Sequence, residues 1–205
     1  MIRLILVRHG VTEWNEQKKY IGSTDLSLSK KGTAQALAVS ESLKDEPLTA
    51  IYCSEYTRAM QTAKTIVKNH NLQINYLSGL NETDFGKWEG LTFNEVTKDW
   101  PNFIDNWLAG KDGLPPEGEP VSVFKNRVES TLGKIVTQNP EGNVLIVAHA
   151  GPIKLIICHL LDLGFSEMWR MQKDSASISK IDLYDDGKNV LTLLNDTCHL
   201  NHLIS

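Results

Sequence analysis

The feature that most constrains the chain is its opening apolar run, Ile2-Arg3-Leu4-Ile5-Leu6-Val7, which ends in Arg8-His9-Gly10. A run of this length bounded by polar residues and glycine suits a short strand buried in a parallel sheet. Such a strand delivers Arg8 and His9 to its carboxyl end, the edge at which open α/β sheets bind ligands. Gly10 is expected to let the backbone turn sharply and a ligand approach closely. Arginine offers a planar fork for an anion, and a neutral imidazole nitrogen beside it can attack one. The combination suggests phosphoryl chemistry, although the pair by itself reads as well as a surface Arg and a hydrogen-bonded structural His.

The rest of the chain alternates strand and helix patterns. Residues 11–28 lack periodicity and contain Gly22, Ser23, Thr24 and Asp25, which predicts a loop over the sheet edge. Ser29 can cap a helix over about 30–45, with Ala34, Leu37, Ala38 and Leu43 among its apolar positions. Ala50 to Cys53 reads as a strand, followed by a helix over about 56–69 with Ala59, Ala63, Ile66 and Val67 on one face. Arg58 falls in that helix's first turn, where the macrodipole disfavours a cation; a bound anion held by the helix amides would resolve the conflict.

Leu72 to Leu77 predicts a third strand, and Leu80 to Gly90, mixing carboxylates, aromatics and two glycines, a structured loop. Residues 92–109 predict one or two short helices broken at Pro101, with Phe93, Phe103, Ile104, Trp107 and Leu108 buried or facing a pocket. Trp88, Trp100 and Trp107 are assigned to the core. Gly110 to Glu119 predicts a surface loop, then a helix at about 120–138, a strand at 143–148 ending at His149, and a helix at about 152–163 with Pro152 near its start. Ile178 to Tyr184 and Val190 to Leu194 read as a β-hairpin.

Composition excludes several classes. A net charge of -4 over 205 residues argues against a nucleic-acid surface, so any phosphate must be met by local positive charge. Cys53, Cys158 and Cys198 are widely spaced, which predicts reduced, packing thiols in a cytoplasmic protein. The apolar tract 144–165 is interrupted by His149, Pro152, Lys154, His159 and Asp162, so no membrane association is expected. His199 and His202 are too sparse a pair for a metal site, and no metal or cofactor is expected.

Leu6 to Asn15 resembles the signature of the histidine phosphatase, or phosphoglycerate mutase-like, superfamily. The resemblance continues through Gly22 to Ser29, Ser54 to Ala63, Glu82 to Gly90 and Val147 to Gly151, in the family's order. It implies an α/β fold with one domain over 1–205, a three-layer α/β/α sandwich around a mostly parallel central sheet. It further implies that His9 is the nucleophile, forming a phosphohistidine, that Arg8 and Arg58 bind the phosphoryl oxygens, and that His149 hydrogen-bonds the same group. Asn15 and Thr24 match secondary phosphate contacts; Asp25, Asp84 and Glu89 are assigned structural roles. Glu82 matches the acid/base residue, with a pKa raised by burial, and Glu82→Gln is expected to lose the acid limb of the pH–rate profile. The family's Gly-Glu-Ser is Gly118-Glu119-Pro120 here, so no polar role is assigned at residue 120.

The chain has no counterpart to the segment that helps mutases enclose their substrate after the acid/base block, which favours hydrolysis of a small phosphate monoester, as monomer or homodimer. Phe85 to Gly90, Trp169-Arg170-Met171 and Leu194 to Leu200 are most similar to the α-ribazole phosphatases within the family. Broad-specificity or phosphoserine phosphatases, a phosphoglycerate mutase and a non-catalytic binding protein are the alternatives.

Overall fold

The computed structural model describes residues 1–111 and 115–203, and only the backbone of residues 102–104. Its strands are β1 (Ile2–Arg8), β2 (Leu48–Cys53), β3 (Ile74–Tyr76), β4 (Gly142–Ala148), β5 (Ile178–Leu183) and β6 (Val190–Asp196). They form one sheet in the order β3-β2-β4-β1-β5-β6. The first four of these in space run parallel, and the β5/β6 hairpin joins β1 antiparallel. The helices are α1 (Glu13–Glu16), α2 (Lys30–Ser42), α3 (Thr57–Ile66), α4 (Phe93–Asp99), α5 (Pro101–Leu108), α6 (Val121–Gln138) and α7 (Ala150–Leu160).

Strand alternation divides the core into two sides. Leu4 and Leu6 of β1 with Val144 and Ile146 of β4 face α6 and α7, meeting Phe124, Val128, Ile153 and Ile156. Ile5, Val7, Leu145 and Val147 face α2 and α3, meeting Val39, Ala59, Ala63 and Ile66. The molecule is therefore an α/β/α sandwich around a mostly parallel central sheet, as the resemblance implied. The helix after β1 covers one face and the helix after β4 the other, although β1 and β4 are neighbours in register from Ile2/Gly142 to Arg8/Ala148. That is a topological switch point, and the crevice beyond the carboxyl ends of two such strands is where this architecture binds ligands.

Several local expectations are corrected. The segment 11–28 contains α1, capped reciprocally by Thr12 and Asn15. Helix α2 starts at its Ser29 cap and buries Ala38, with Leu43 at its C-cap, as expected, but it also buries Gly32, Gln35, Ala36, Val39 and Ser40 and leaves Leu37 exposed. Helix α7 begins at Ala150, two residues before Pro152, with His149 as its N-cap. Gly10 is required by a close backbone approach, but of the protein itself: a Cβ there would collide with the Gly32 carbonyl of α2. Cys53 and Cys158 are buried, whereas Cys198 is exposed and is not a packing thiol.

The break between α4 and α5 falls at Trp100 and Pro101, as the proline predicts. Trp88 and Trp107 are buried with Phe85, Val96 and Val121 in a third cluster, against which Trp100 is half-buried. The side chains of Phe103 and Ile104 and residues 112–114 of the Gly110–Glu119 loop lie outside the described residues. No described helix is long and apolar enough to cross a membrane.

Candidate active site

The β1/β4 pairing continues one residue beyond the strands, with the His9 N–H donating to the Ala148 carbonyl at 3.0 Å. This brings the His9 and His149 rings to a centroid separation of 4.9 Å. Both imidazoles are buried, and burial together with the nearby guanidiniums of Arg58 and Arg8 pushes their pKa values well below the ordinary histidine value. His9 is neutral at neutral pH. Its Nδ1 lies 2.7 Å from the Gly10 carbonyl, which can only accept, so Nδ1 carries the proton and Nε2 keeps its lone pair.

His149 has the other tautomer. Arg58 Nε–H donates to its Nδ1 at 3.2 Å, so Nε2 is protonated and donates to Ser54 Oγ at 2.7 Å. The Ser54 hydroxyl in turn donates to Asn81 Oδ1 at 2.8 Å. Both nitrogens of His149 are thus taken by protein groups. Direct hydrogen bonding to a phosphoryl oxygen, as the resemblance implies, requires exchange of one of them.

The two arginines carry the site's positive charge. Arg58 is fully buried and spends three of its five N–H groups on protein: His149, the Thr24 carbonyl at 3.0 Å and the Gly22 carbonyl at 2.7 Å. The N-terminus of α3 is not left open for a ligand anion. Asp25 occupies it, accepting from the Thr57 N–H at 2.7 Å and the Thr57 hydroxyl at 2.6 Å, so the structural role assigned to Asp25 is a helix cap. Arg8 donates through Nη1 to the Lys173 carbonyl, while its Nε is enclosed without a hydrogen-bond partner. A buried unpaired donor calls for an oxygen. Neither arginine forms an ion pair with a carboxylate among the described residues, although the chain is acidic overall.

Glu89 explains how Arg58 is held. Its Oε1 accepts from the N–H groups of Gly22 at 2.8 Å, Ser23 at 2.9 Å and Phe85 at 3.2 Å, and its Oε2 from Thr24 at 3.3 Å. The carboxylate ties down the loop whose carbonyls receive Arg58. Asp84 makes a local turn, accepting from the Gly86 N–H at 2.8 Å and the Ser23 hydroxyl at 3.0 Å. Thr24 enters the site through its backbone. Asn15 lines the same mouth as Arg8; its Oδ1 is held by the Thr12 N–H and hydroxyl, each at 3.0 Å, which leaves Nδ2 as its donor for a ligand.

Glu82 is buried, and burial raises its pKa, opposed by two backbone N–H groups and then by Arg58 and Arg8. Those N–H groups belong to Thr83 and Gly151, each at 3.1 Å. A Cβ at Gly151 would collide with Glu82 Oε1, so a larger residue there would displace the carboxylate from its place. Arg127 clamps the segment from outside. It pairs with both oxygens of Glu119 at 2.6 and 2.7 Å and donates to the carbonyls of Gly79, Asn81 and Glu82. Nothing in its sequence neighbourhood marked Arg127. Ser54 lay in a matched block, yet only the fold reveals its contact with His149.

Beside Glu82 opens a pocket walled by Tyr20, Phe85, Phe93, Trp107, Phe165 and Trp169, with Gly151 and Lys154 of α7 on one side. Its apolar walls come from the segments preceding α6, from Val121 and Phe124 of α6 and from the 3-10 helix Phe165–Arg170, which no periodicity predicts.

An α/β sandwich that gathers two neutral imidazoles, two guanidiniums without carboxylate partners and a buried carboxyl group at its switch point defines a phosphate-handling enzyme. The chain belongs to the histidine phosphatase superfamily, branch 1, whose model matches residues 4–197. It is 33% identical to phosphoserine phosphatase 1 of Hydrogenobacter thermophilus, covering 98% of this chain and 95% of that protein. It is 31% identical to the adenosylcobalamin/alpha-ribazole phosphatase of Salmonella typhimurium, covering 95% and 96%. Among solved structures, phosphoserine phosphatase from Entamoeba histolytica in complex with 3-phosphoglyceric acid superposes with a TM-score of 0.86 at 32% identity, covering 98% of this chain and 100% of that one. The chain is a phosphatase of this superfamily.

Proposed function

We propose that residues 1–205 form one catalytic domain that hydrolyses a small phosphate monoester without a metal ion, through a phosphohistidine on His9. The observation that carries this reading is the neutral His9, with Nε2 unprotonated, beside two guanidiniums that form no ion pair with a carboxylate among the described residues. His9 Nε2 attacks phosphorus as the ester P–O bond breaks, and Glu82 gives its proton to the departing alkoxide. Water then attacks the phosphohistidine, losing its proton to Glu82, and the P–N bond breaks to release phosphate and restore neutral His9. Arg8, Arg58 and the Asn15 amide stabilise the charge that spreads over the phosphoryl oxygens in both steps. Thr24 acts through its carbonyl by orienting Arg58, and His149 holds the Arg58 Nε.

The substrate proposed is α-ribazole 5′-phosphate, because the pocket next to Glu82 is walled by aromatic rings that suit a benzimidazole. Phosphoserine is the second reading, favoured by the phosphoserine phosphatases among the relatives. The test is phosphate release with chelator present from α-ribazole 5′-phosphate, phosphoserine and 3-phosphoglycerate, beside trapping of labelled enzyme after rapid quench. An acid-labile, alkali-stable label lost in His9→Ala supports the mechanism. Turnover without such a label, or only with added metal, overturns it, and the order of kcat/KM values assigns the substrate.

A further inference from the structure

Lys154 sits on α7 beyond Gly151, whose N–H holds Glu82, and it enters the aromatic pocket from that side. Its ammonium lies 5.6 Å from the centroid of the Trp169 ring. No carboxylate stands within ion-pair distance of it among the described residues. The carboxylates around it are committed elsewhere: Glu82, which shares the pocket, is held by the Thr83 and Gly151 N–H groups, Glu129 faces His159 and Lys125, and Glu167 faces Arg170. Burial, with Arg8 adding to it and Glu82 opposing it, lowers the pKa of Lys154 from the ordinary lysine value. A cation set among apolar rings with no anion of its own is costly for folding, and a ligand that brings an acceptor relieves that cost.

We propose that Lys154 is a specificity residue that binds an anionic or hydrogen-bond-accepting group carried by an aromatic or apolar leaving group. The pocket geometry divides the labour: the rings take the body of the leaving group, Glu82 takes its bridging oxygen, and Lys154 takes the acceptor. The proposal rests on the phosphatase reading above and adds the chemical class of what leaves. It accommodates the ring nitrogen of a benzimidazole or the carboxylate of an amino acid, and excludes a preference for purely hydrocarbon esters.

The test is the ratio of kcat/KM for 4-carboxyphenyl phosphate to that for 4-methylphenyl phosphate, in wild type, Lys154→Met and Lys154→Arg. The intrinsic difference between the two phenols cancels when the ratio is compared between proteins. Lys154→Met keeps an unbranched apolar side chain in the pocket and removes the charge. Its ratio is expected to fall about 10–100-fold, the size of one charge-assisted hydrogen bond, while Lys154→Arg stays within about threefold of wild type. The corresponding ratio of dissociation constants is measured in a His9→Ala background, which reads Lys154 even if the mechanism above fails. An unchanged ratio in Lys154→Met in both measurements overturns the proposal.

Discussion

Arg58 Nε stands 3.2 Å from His149 Nδ1, and this one hydrogen bond fixes which nitrogen of His149 is protonated. The same guanidinium reaches Gly22 and Thr24, so one planar group locks a loop, a ring and a positive charge into a single arrangement. A lysine keeps the charge but cannot donate in three fixed directions. Arg58→Lys is therefore expected to lower kcat/KM by about 10²–10³ while the fold is retained. Steady-state kinetics beside far-ultraviolet circular dichroism measures this, and nitrogen NMR of His149 should show Nδ1 unprotonated in wild type only.

Glu89 acts on the site at one remove. It satisfies four backbone N–H groups, three of them in the loop that receives Arg58. Glu89→Ala leaves them unpaired, at an expected cost of about 1–3 kcal/mol in folding stability. If the carboxylate positions Arg58, the dissociation constant for inorganic phosphate should also rise roughly tenfold, since a small misplacement of a positioned group is costly. A stability loss with unchanged phosphate affinity would confine Glu89 to holding the loop.

The raised pKa of Glu82 sets the direction of its pH effects. Phosphorylation of His9 needs Glu82 protonated, so kcat/KM falls as pH rises through its pKa. Water attack needs it ionised, so kcat falls as pH drops through the pKa that Glu82 has in the phosphoenzyme, wherever that step limits. The kcat/KM limb lies above the ordinary carboxylate range because burial outweighs the two N–H donors and the arginines. Glu82→Gln should lose both limbs and about 10²–10⁴ in rate. Retention of either limb assigns it to another group.

Most of the frame is legible because short apolar strands ending in polar residues leave little choice of sheet, and Pro101 and Ser29 punctuate the chain locally. His9, Arg8, Arg58, Glu82 and His149 were named from their blocks, and the fold gathers them at one edge. What stayed hidden depends on contacts between residues distant in sequence. Gly10 makes room for the α2 backbone rather than for a ligand, Asp25 fills the helix terminus expected to hold an anion, and Arg127 grips the Glu82 segment from α6. On the buried face of α2 the spacing finds Ala38 and, at its C-cap, Leu43, but not Gln35 and Ser40, which point inward because hydrogen bonds to the Val11 N–H and the Thr65 carbonyl replace apolar contacts.

Lys173 gives the last prediction, and no periodicity or motif marked it. Its side-chain nitrogen is buried within hydrogen-bonding distance of Ser179 Oγ at 3.0 Å, the Ser177 carbonyl at 3.2 Å and the Leu6 carbonyl at 3.4 Å, and makes no salt bridge with a carboxylate among the described residues. Burial and then Arg8 push its pKa down to about 7, against the opposing effect of Asp174. In the unfolded chain the group titrates near 10.4. Between these values the folded protein holds Lys173 neutral while the unfolded chain binds a proton, so wild-type stability from this group falls as pH drops from about 10 to about 7 and is level below that. Lys173→Met removes the titration and leaves only a constant offset for the lost hydrogen bonds. The difference in urea midpoint between variant and wild type should therefore shift in the variant's favour as pH falls through that window, with no further change toward about pH 6. A difference that stays constant from about pH 10 to about pH 6 would show that Lys173 keeps its charge on folding.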